Sequence, residues 1–149
     1  MSSPISDHDL IRNTIARYSI GVDLKDWDLF TSAFTETAKI TFPAPMGTFE
    51  GITTITATIQ STVSNFHTSH ALSTQLIEIT GEKTAKATTY TATELFGTGE
   101  NEGKHATNRG LYRDKLVKIS VDGREDWRIA ERDAVGQWPL TGDLSLLAP

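Results

Sequence analysis

Three acidic residues, Asp23, Asp26 and Asp28, lie close together in the segment GVDLKDWDLF, where a helix is expected to end. A carboxylate is poorly placed there, because the C-terminus of a helix carries partial negative charge on its unpaired carbonyl groups. This dipole and burial would both raise the pKa of Asp23, which suits a general acid or base near neutral pH. Opposite a histidine, Asp23 could instead stay ionised and orient the imidazole. The alternative without function is a helix cap or a solvent-exposed carboxylate.

His70 opens a predicted strand, HALSTQLIEIT, and alternation along that strand can aim its side chain into the interior. A neutral imidazole both accepts and donates protons, as a dehydration or an enolisation requires. The alternative is a strand-edge histidine bonded to the backbone. His67 and His105 offer further imidazoles, but there is no cysteine and no H-E-x-x-H motif, so we expect no metal site.

A later predicted strand, KHATNRGLYRDKLVKISV, carries different polar residues on its two faces. Arg109 falls on one face and Tyr112 on the other, and a single β-bulge would exchange the faces. Either residue could donate a hydrogen bond to the oxyanion of an enolate-like intermediate. A surface salt bridge for Arg109 and a dimer contact for Tyr112 are equally open alternatives.

The elements that must position these residues can be read from spacing and caps. Ser6, followed three residues later by Asp9, predicts the start of a first helix, and Asp26 is expected to cap a short second helix. A strand is expected over residues 38–43, and apolar residues at helical spacing after Gly51 predict a third helix. The expected buried faces of the three helices are Ile11, Ile15, Tyr18 and Val22; Trp27, Phe30 and Phe34; and Ile52, Ile55, Ile59 and Val63.

From His70 onward the pattern changes to four strands rich in Thr, Val, Ile and Tyr, separated by glycine-containing turns. Short connections make these strands antiparallel, so the fold class is α+β. We expect a long curved antiparallel sheet with helices on one face and a cone-shaped pocket between them. We expect one domain over residues 1–149, with a core at about 7–135 and a tail at 136–149 that covers the pocket mouth or a partner subunit.

Composition excludes several classes of function. The chain has 149 residues, 38% of them hydrophobic, and a formal net charge of −5 without a basic patch, so nucleic acid is not an expected partner. No apolar stretch is long enough to span a bilayer, and the N-terminus MSSPISDHDL lacks the pattern of a secretory leader. We therefore expect no membrane association and a cytoplasmic location.

Four segments in this order resemble the nuclear transport factor 2-like superfamily, and within it the SnoaL-like and scytalone-dehydratase-like branch. They are VDLKDWDLF after the first helix, HTSH before the second strand, GLYRDKLVK and DWRIAERDA, and the likeness spans about residues 10–135. The resemblance implies a cone-shaped α+β barrel, usually a homodimer paired through the outer sheet face. It also implies chemistry without metal or organic cofactor, such as dehydration, isomerisation or cyclisation of polyketide or terpenoid intermediates.

The resemblance also implies roles for individual residues. Asp23 matches an aspartate beside the pocket, and His70 matches a catalytic histidine. The water-holding tyrosines of the dehydratase fall at Val22 and Phe42, and its second histidine falls near Thr93 or Glu94, so scytalone itself is not the expected substrate. Glu94 is a further candidate acid or base, with a solvated strand glutamate as the alternative. The residues expected to line the pocket, with plain core packing as the alternative, are Tyr18, Phe42, Met46, Phe66, Tyr90, Phe96 and His105.

The sequence therefore predicts a cofactor-independent lyase or isomerase that binds a hydrophobic small molecule. Its catalytic candidates are Asp23, His70, Arg109, Tyr112 and Glu94. A binding or dimerisation module without catalysis, and a ketosteroid-isomerase-like proton shuttle, are the alternatives on the same scaffold.

Overall fold

The computed structural model describes residues 4–147. Helices and strands follow the α+β order expected from the sequence. The elements are α1 (Asp7–Leu24), α2 (Trp27–Thr31), β1 (Phe34–Phe42), β2 (Gly47–Glu50), α3 (Ile52–Val63), β3 (Phe66–Gly81), β4 (Thr84–Gly97), β5 (His105–Val121), β6 (Arg124–Gly136) and β7 (Thr141–Gly142), with 3₁₀ turns at Gly99–Asn101 and Leu144–Leu147.

The helix signals in the sequence are confirmed. The Ser6 hydroxyl accepts the backbone N–H of Asp9 at 3.1 Å, and the Asp26 carboxylate accepts that of Leu29 at 3.1 Å. The expected apolar stripes of α1 and α3 are buried or partly buried. Helix α2 is shorter than expected, because the chain turns after Thr31 and Phe34 already belongs to β1.

Seven strands form one open, curved sheet in the order β2-β1-β6-β5-β4-β3, with β7 paired to β5. Neighbours are antiparallel except β1 and β6, which run parallel. Short turns force β3 to β6 to alternate in direction, whereas no short turn joins β1 to β6, so the direction of that pair is not constrained. The short strand β2, in the expected loop after β1, was not predicted.

Register shifts bend the sheet around the helices. They interrupt the β3–β4, β5–β6 and β1–β6 ladders, and such bulges increase local twist and curvature. The concave inner face packs on α1 and α3 and contains the hydrophobic core. The outer face carries the alternate residues of each strand.

The C-terminal segment packs back onto the sheet. Thr141 and Gly142 pair with Thr107 and Ala106 of β5, and Leu146 is buried against the core. Among residues 4–147, no helix is both long enough and apolar enough to cross a membrane.

Candidate active site

A carboxylate and an imidazole meet where α1 ends against β3. Oδ1 of Asp23 lies 2.6 Å from Nδ1 of His70, and the two side chains are 21% and 7% exposed. Asp23 also accepts the backbone N–H of His70 on Oδ2 and the hydroxyl of Thr68 on Oδ1, both at 2.8 Å. The acid of the first helix and the imidazole of the sheet therefore form one hydrogen-bonded pair.

The sequence fixes this contact through local structure. Helix α1 ends at Leu24, and Lys25 adopts a left-handed conformation that closes the helix, leaving Asp23 in the last turn. Thr68 and His70 are two residues apart on β3, so both side chains point to the inner face. Thr68, in the segment HTSH, could have been found from this alternation.

The ionisation of Asp23 corrects one of the two expectations from the sequence. Burial raises the pKa of the Asp23 carboxyl, but the hydrogen bonds from His70 and Thr68 outweigh burial and hold the pKa below its usual value. Asp23 is therefore ionised at neutral pH, and the expected rise of its pKa is wrong. An ionised Asp23 accepts the proton on Nδ1 of His70 and leaves Nε2 unprotonated in the neutral imidazole.

Two buried tyrosines lie beside this pair. The ring of Tyr18 is 6.1 Å from the His70 ring at 87° and 5.7 Å from the Tyr112 ring, so Tyr112 lies on the inner face. Burial is the largest cause that raises the pKa of both tyrosine hydroxyls, so both are protonated hydrogen-bond donors at neutral pH.

A buried ion pair completes the inner face. Arg132 donates from Nε and Nη2 to Asp114 at 2.7 and 2.9 Å, and both side chains are 0% exposed. Arg132 belongs to the segment DWRIAERDA. Its partner could not be predicted, because the bulge between β5 and β6 sets their register.

Several predicted site residues lie on the outer face, away from His70. Arg109 alternates with Tyr112 in an uninterrupted β4–β5 ladder, and Tyr90 is 40% exposed on the same outer side. Glu94 binds Nε2 of His105 at 2.8 Å, and Phe96 stacks on the His105 ring at 5.8 Å. The sequence could not exclude a bulge that would turn these side chains inward.

The remaining predicted lining residues are dispersed. Phe66 is buried at the start of β3, and Phe42 is partly buried on the inner side of β1, where its ring lies 6.3 Å from Phe49. Met46 is 41% exposed in the turn between β1 and β2. None of the three has an aromatic contact with the Asp23–His70 pair within the described residues.

Of two concave regions formed by residues 4–147, neither is lined by Asp23 or His70. One, of about 460 Å³, is a groove on the outer face that crosses β1, β6, β5, β4 and β3. The other, of about 600 Å³, lies beside α2 and the start of β1. The enclosed pocket expected beside the pair is neither of these. Within residues 4–147, no cluster of three or more histidine, cysteine or acidic side chains could hold a metal ion.

Comparison with known proteins identifies the family. The SnoaL-like domain family matches residues 3–133, and the chain therefore belongs to it. The "Terrestric acid biosynthesis cluster protein E" of Penicillium crustosum is 26% identical over 148 residues, covering 95% of this chain and 94% of the relative.

Two solved structures share the fold. A protein provisionally named a scytalone dehydratase, from Novosphingobium aromaticivorans, superimposes with a TM-score of 0.77 at 22% identity, covering 91% of this chain and 87% of the other. A type 3 hexachlorocyclohexane dehydrochlorinase from Novosphingobium barchaimii gives a TM-score of 0.76 at 15% identity, covering 91% and 89% of the two chains. At these identities the likeness concerns the fold alone.

Proposed function

We propose that this protein is a cofactor-independent lyase or isomerase that acts by acid–base catalysis on an oxygenated polyketide- or terpenoid-type intermediate. The observation that carries the proposal is the 2.6 Å contact between Asp23 and Nδ1 of His70. This contact supports a role for His70 as a general base, with Nδ1 held by Asp23 and Nε2 left for the substrate.

Asp23 is the orienting group and His70 the base. All three hydrogen bonds to Asp23 come from Thr68 and His70, so its carboxylate is occupied. Nε2 of His70 removes a proton from a carbon next to a carbonyl group, and the C–H electron pair forms the enolate. In a dehydration, the same proton returns from Nε2 to the leaving hydroxyl group, which departs as water while a carbon–carbon double bond forms. In an isomerisation, the proton returns to another carbon.

The developing oxyanion needs a donor on the same face as His70. Tyr112 lies on this inner face and keeps its proton at neutral pH, whereas Arg109 lies on the outer face. We therefore assign the donor role to Tyr112 and the ring-packing role to Tyr18. Glu94 and Arg109 have no role in this mechanism, because the sheet separates both from His70.

The substrate class is supported by the Penicillium relative, which is named after a biosynthesis cluster. The dehydrochlorinase and the provisionally named dehydratase are named for eliminations. An elimination begins with the removal of a proton from carbon, the step that an imidazole held by a carboxylate performs.

A panel of three compounds tests this function. A β-hydroxyketone reports dehydration, a β,γ-unsaturated ketone reports isomerisation, and 5-nitrobenzisoxazole reports proton removal from carbon in general. We expect turnover of at least one compound, with a loss of about 100-fold in kcat for His70→Ala, since general bases contribute roughly 10²–10⁴-fold. His67→Ala, a change of an exposed histidine on the same strand, is the matched control and should keep full activity.

The same panel can contradict the proposal. Equal turnover by the wild type, Asp23→Asn and His70→Ala would remove both residues from the mechanism. Saturable binding of all three compounds without product would favour the binding module instead.

We also propose a homodimer paired through the outer face of the sheet. On the outer face, five adjacent strands carry a row of charged residues of both signs in register: Glu78, Lys86, Lys115, Glu131 and Lys39. Beside it lie the exposed side chains of Leu76 and Tyr90, which are 62% and 40% exposed. A row of both signs can pair with its own copy across a twofold axis, and the apolar side chains would gain burial.

A further inference from the structure

The four residues Tyr18, Tyr112, Asp114 and Arg132 form a buried group that we name the arginine–tyrosine cluster. The guanidinium carbon of Arg132 lies 4.4 Å from the ring centroid of Tyr18 and 3.9 Å from that of Tyr112. Asp114 binds the guanidinium in the bidentate manner described above. The cation is therefore held in its plane by one carboxylate and contacts two rings at once.

Stability alone does not account for this cluster. Burying two charges carries a desolvation penalty that their attraction need not recover, and well-packed hydrocarbon of similar volume is often equally stable or more so. Moreover, Nη1 of Arg132 is buried without a hydrogen-bond partner among residues 4–147. A buried donor without an acceptor costs stability. Whatever its net contribution to stability, the cluster holds two rings against one fixed guanidinium.

That geometry reaches His70 through Tyr18. The Tyr18 ring contacts both the guanidinium of Arg132, at 4.4 Å, and the imidazole of His70, which it meets nearly edge-on at 6.1 Å. Helix α1 carries both Tyr18 and Asp23, so one rigid element delivers the ring contact and the carboxylate contact. The carboxylate contacts Nδ1 of His70, and the Tyr18 ring packs against the same imidazole.

We propose that Arg132 is a positioning residue for His70. Together with Asp114 it holds the Tyr18 ring in place, and the ring in turn holds the imidazole so that Nε2 keeps one direction. This inference rests on the proposed function, in which Nε2 is the base. It adds a residue on β6 that acts on the base without touching it.

The test removes the charges of Asp114 and Arg132 without creating a cavity. The double variant Asp114→Leu with Arg132→Met keeps an apolar core and leaves no buried charge unpaired. Arg132→Lys keeps the charge but loses the planar group that lies over the rings. The matched control is Glu131→Gln, which breaks the exposed Lys115–Glu131 pair on the same two strands.

Two measurements read the outcome. The first is the split between kcat and KM for the panel compound that turns over. The second is the line width and shift of the His70 imidazole signals by NMR, which needs no substrate. We expect the double variant to lose about tenfold in kcat with KM within twofold, since small misplacements of a catalytic group cost rate rather than binding. We expect broadened His70 signals in the double variant and in Arg132→Lys, and unchanged values in Glu131→Gln.

A double-mutant cycle tests whether the effect of Arg132 on His70 passes through the Tyr18 ring. In a Tyr18→Leu background, replacement of the ion pair should have no further effect on the His70 signals, because the ring that transmits the effect is gone. Additive effects on the His70 signals in this cycle, or unchanged His70 signals in the folded double variant, would overturn the inference. Failure of the proposed function looks different, since His70→Ala would then keep full turnover whatever happens at Arg132.

Discussion

At the residue scale, Asp23 shows how a poorly placed carboxylate can be stabilised. Its position in the last turn of α1 and its partial burial both disfavour the charge. Hydrogen bonds from Thr68 and from two groups of His70 outweigh them. The cluster of acids in the sequence thus has two explanations, a hydrogen-bonded contact with His70 for Asp23 and a helix cap for Asp26.

The lowered pKa of Asp23 predicts a pH dependence of stability. Folding favours the ionised carboxylate, so the contribution is complete above the unfolded-state pKa of about 3.9 and is lost as pH falls through the lower folded-state value. Urea titrations of the wild type and Asp23→Asn should therefore differ most at neutral pH, by about 1–2 kcal/mol. The difference should shrink below pH about 4. A difference that grows on acidification would mean that the carboxyl is protonated in the native state.

Thr68 is predicted to support catalysis by fixing the Asp23 carboxylate. Thr68→Val keeps the shape of the side chain and removes the 2.8 Å hydrogen bond. We expect a loss of about 1 kcal/mol in stability and about three- to tenfold in kcat on the panel compound. Thr68→Ser should restore both, and a serine variant as impaired as the valine variant would show that the hydroxyl is not the important group.

At the element scale, the close packing of α1 against α2 determines where Asp23 lies. Gly21 faces the backbone of Phe30, and a Cβ added at residue 21 would lie 2.7 Å from the backbone N and Cα of Phe30. The two helices can approach this closely only because residue 21 has no side chain.

Gly21→Ala sets two effects against each other. Helix propensity would favour alanine by about 0.8–1 kcal/mol. The clash is with backbone that cannot rotate away, and overpacking of this kind typically costs about 1–3 kcal/mol. We therefore expect net destabilisation in urea titrations, together with a changed His70 signal because the end of α1 moves. Ser61→Ala, at an exposed position of α3, is the control and should be neutral.

The sequence largely predicted which segments form helices and strands, but it did not predict the side-chain contacts between them. Caps at Ser6 and Asp26 and the apolar spacing of α1 and α3 are local signals, and local signals survive in the fold. The side-chain face of Arg109 and Tyr112 depends on whether a bulge interrupts β5, which a single sequence does not reveal. The partnership of Asp114 with Arg132 depends on the same kind of register.

At the scale of the whole molecule, the two faces of the sheet carry different chemistry. The inner face holds the Asp23–His70 pair and the arginine–tyrosine cluster, whereas the outer face holds Glu94, His105 and a row of mixed charges. Five of the residues first considered for the site thus lie on the outer face of the sheet: Arg109, Glu94, Tyr90, Phe96 and His105.

The dimer is predicted to depend on the outer face. Analytical ultracentrifugation should show a dimer for the wild type and a shift toward monomer for Leu76→Glu with Tyr90→Glu, because both charges would be buried in the interface. Ile5→Glu, which changes an equally exposed apolar residue before α1, should leave the dimer intact. A wild type that stays monomeric at all concentrations would contradict the assignment.

The most direct test of the central claim is the tautomer of His70, read from the nitrogen shifts of its imidazole by NMR on the wild-type protein. We predict that the neutral ring carries its proton on Nδ1, bound to Asp23, and has an unprotonated Nε2. Asp23→Asn should lose this preference. A proton found on Nε2 in the wild type, or rapid averaging of both tautomers, would contradict the claim that Asp23 prepares His70 as a base.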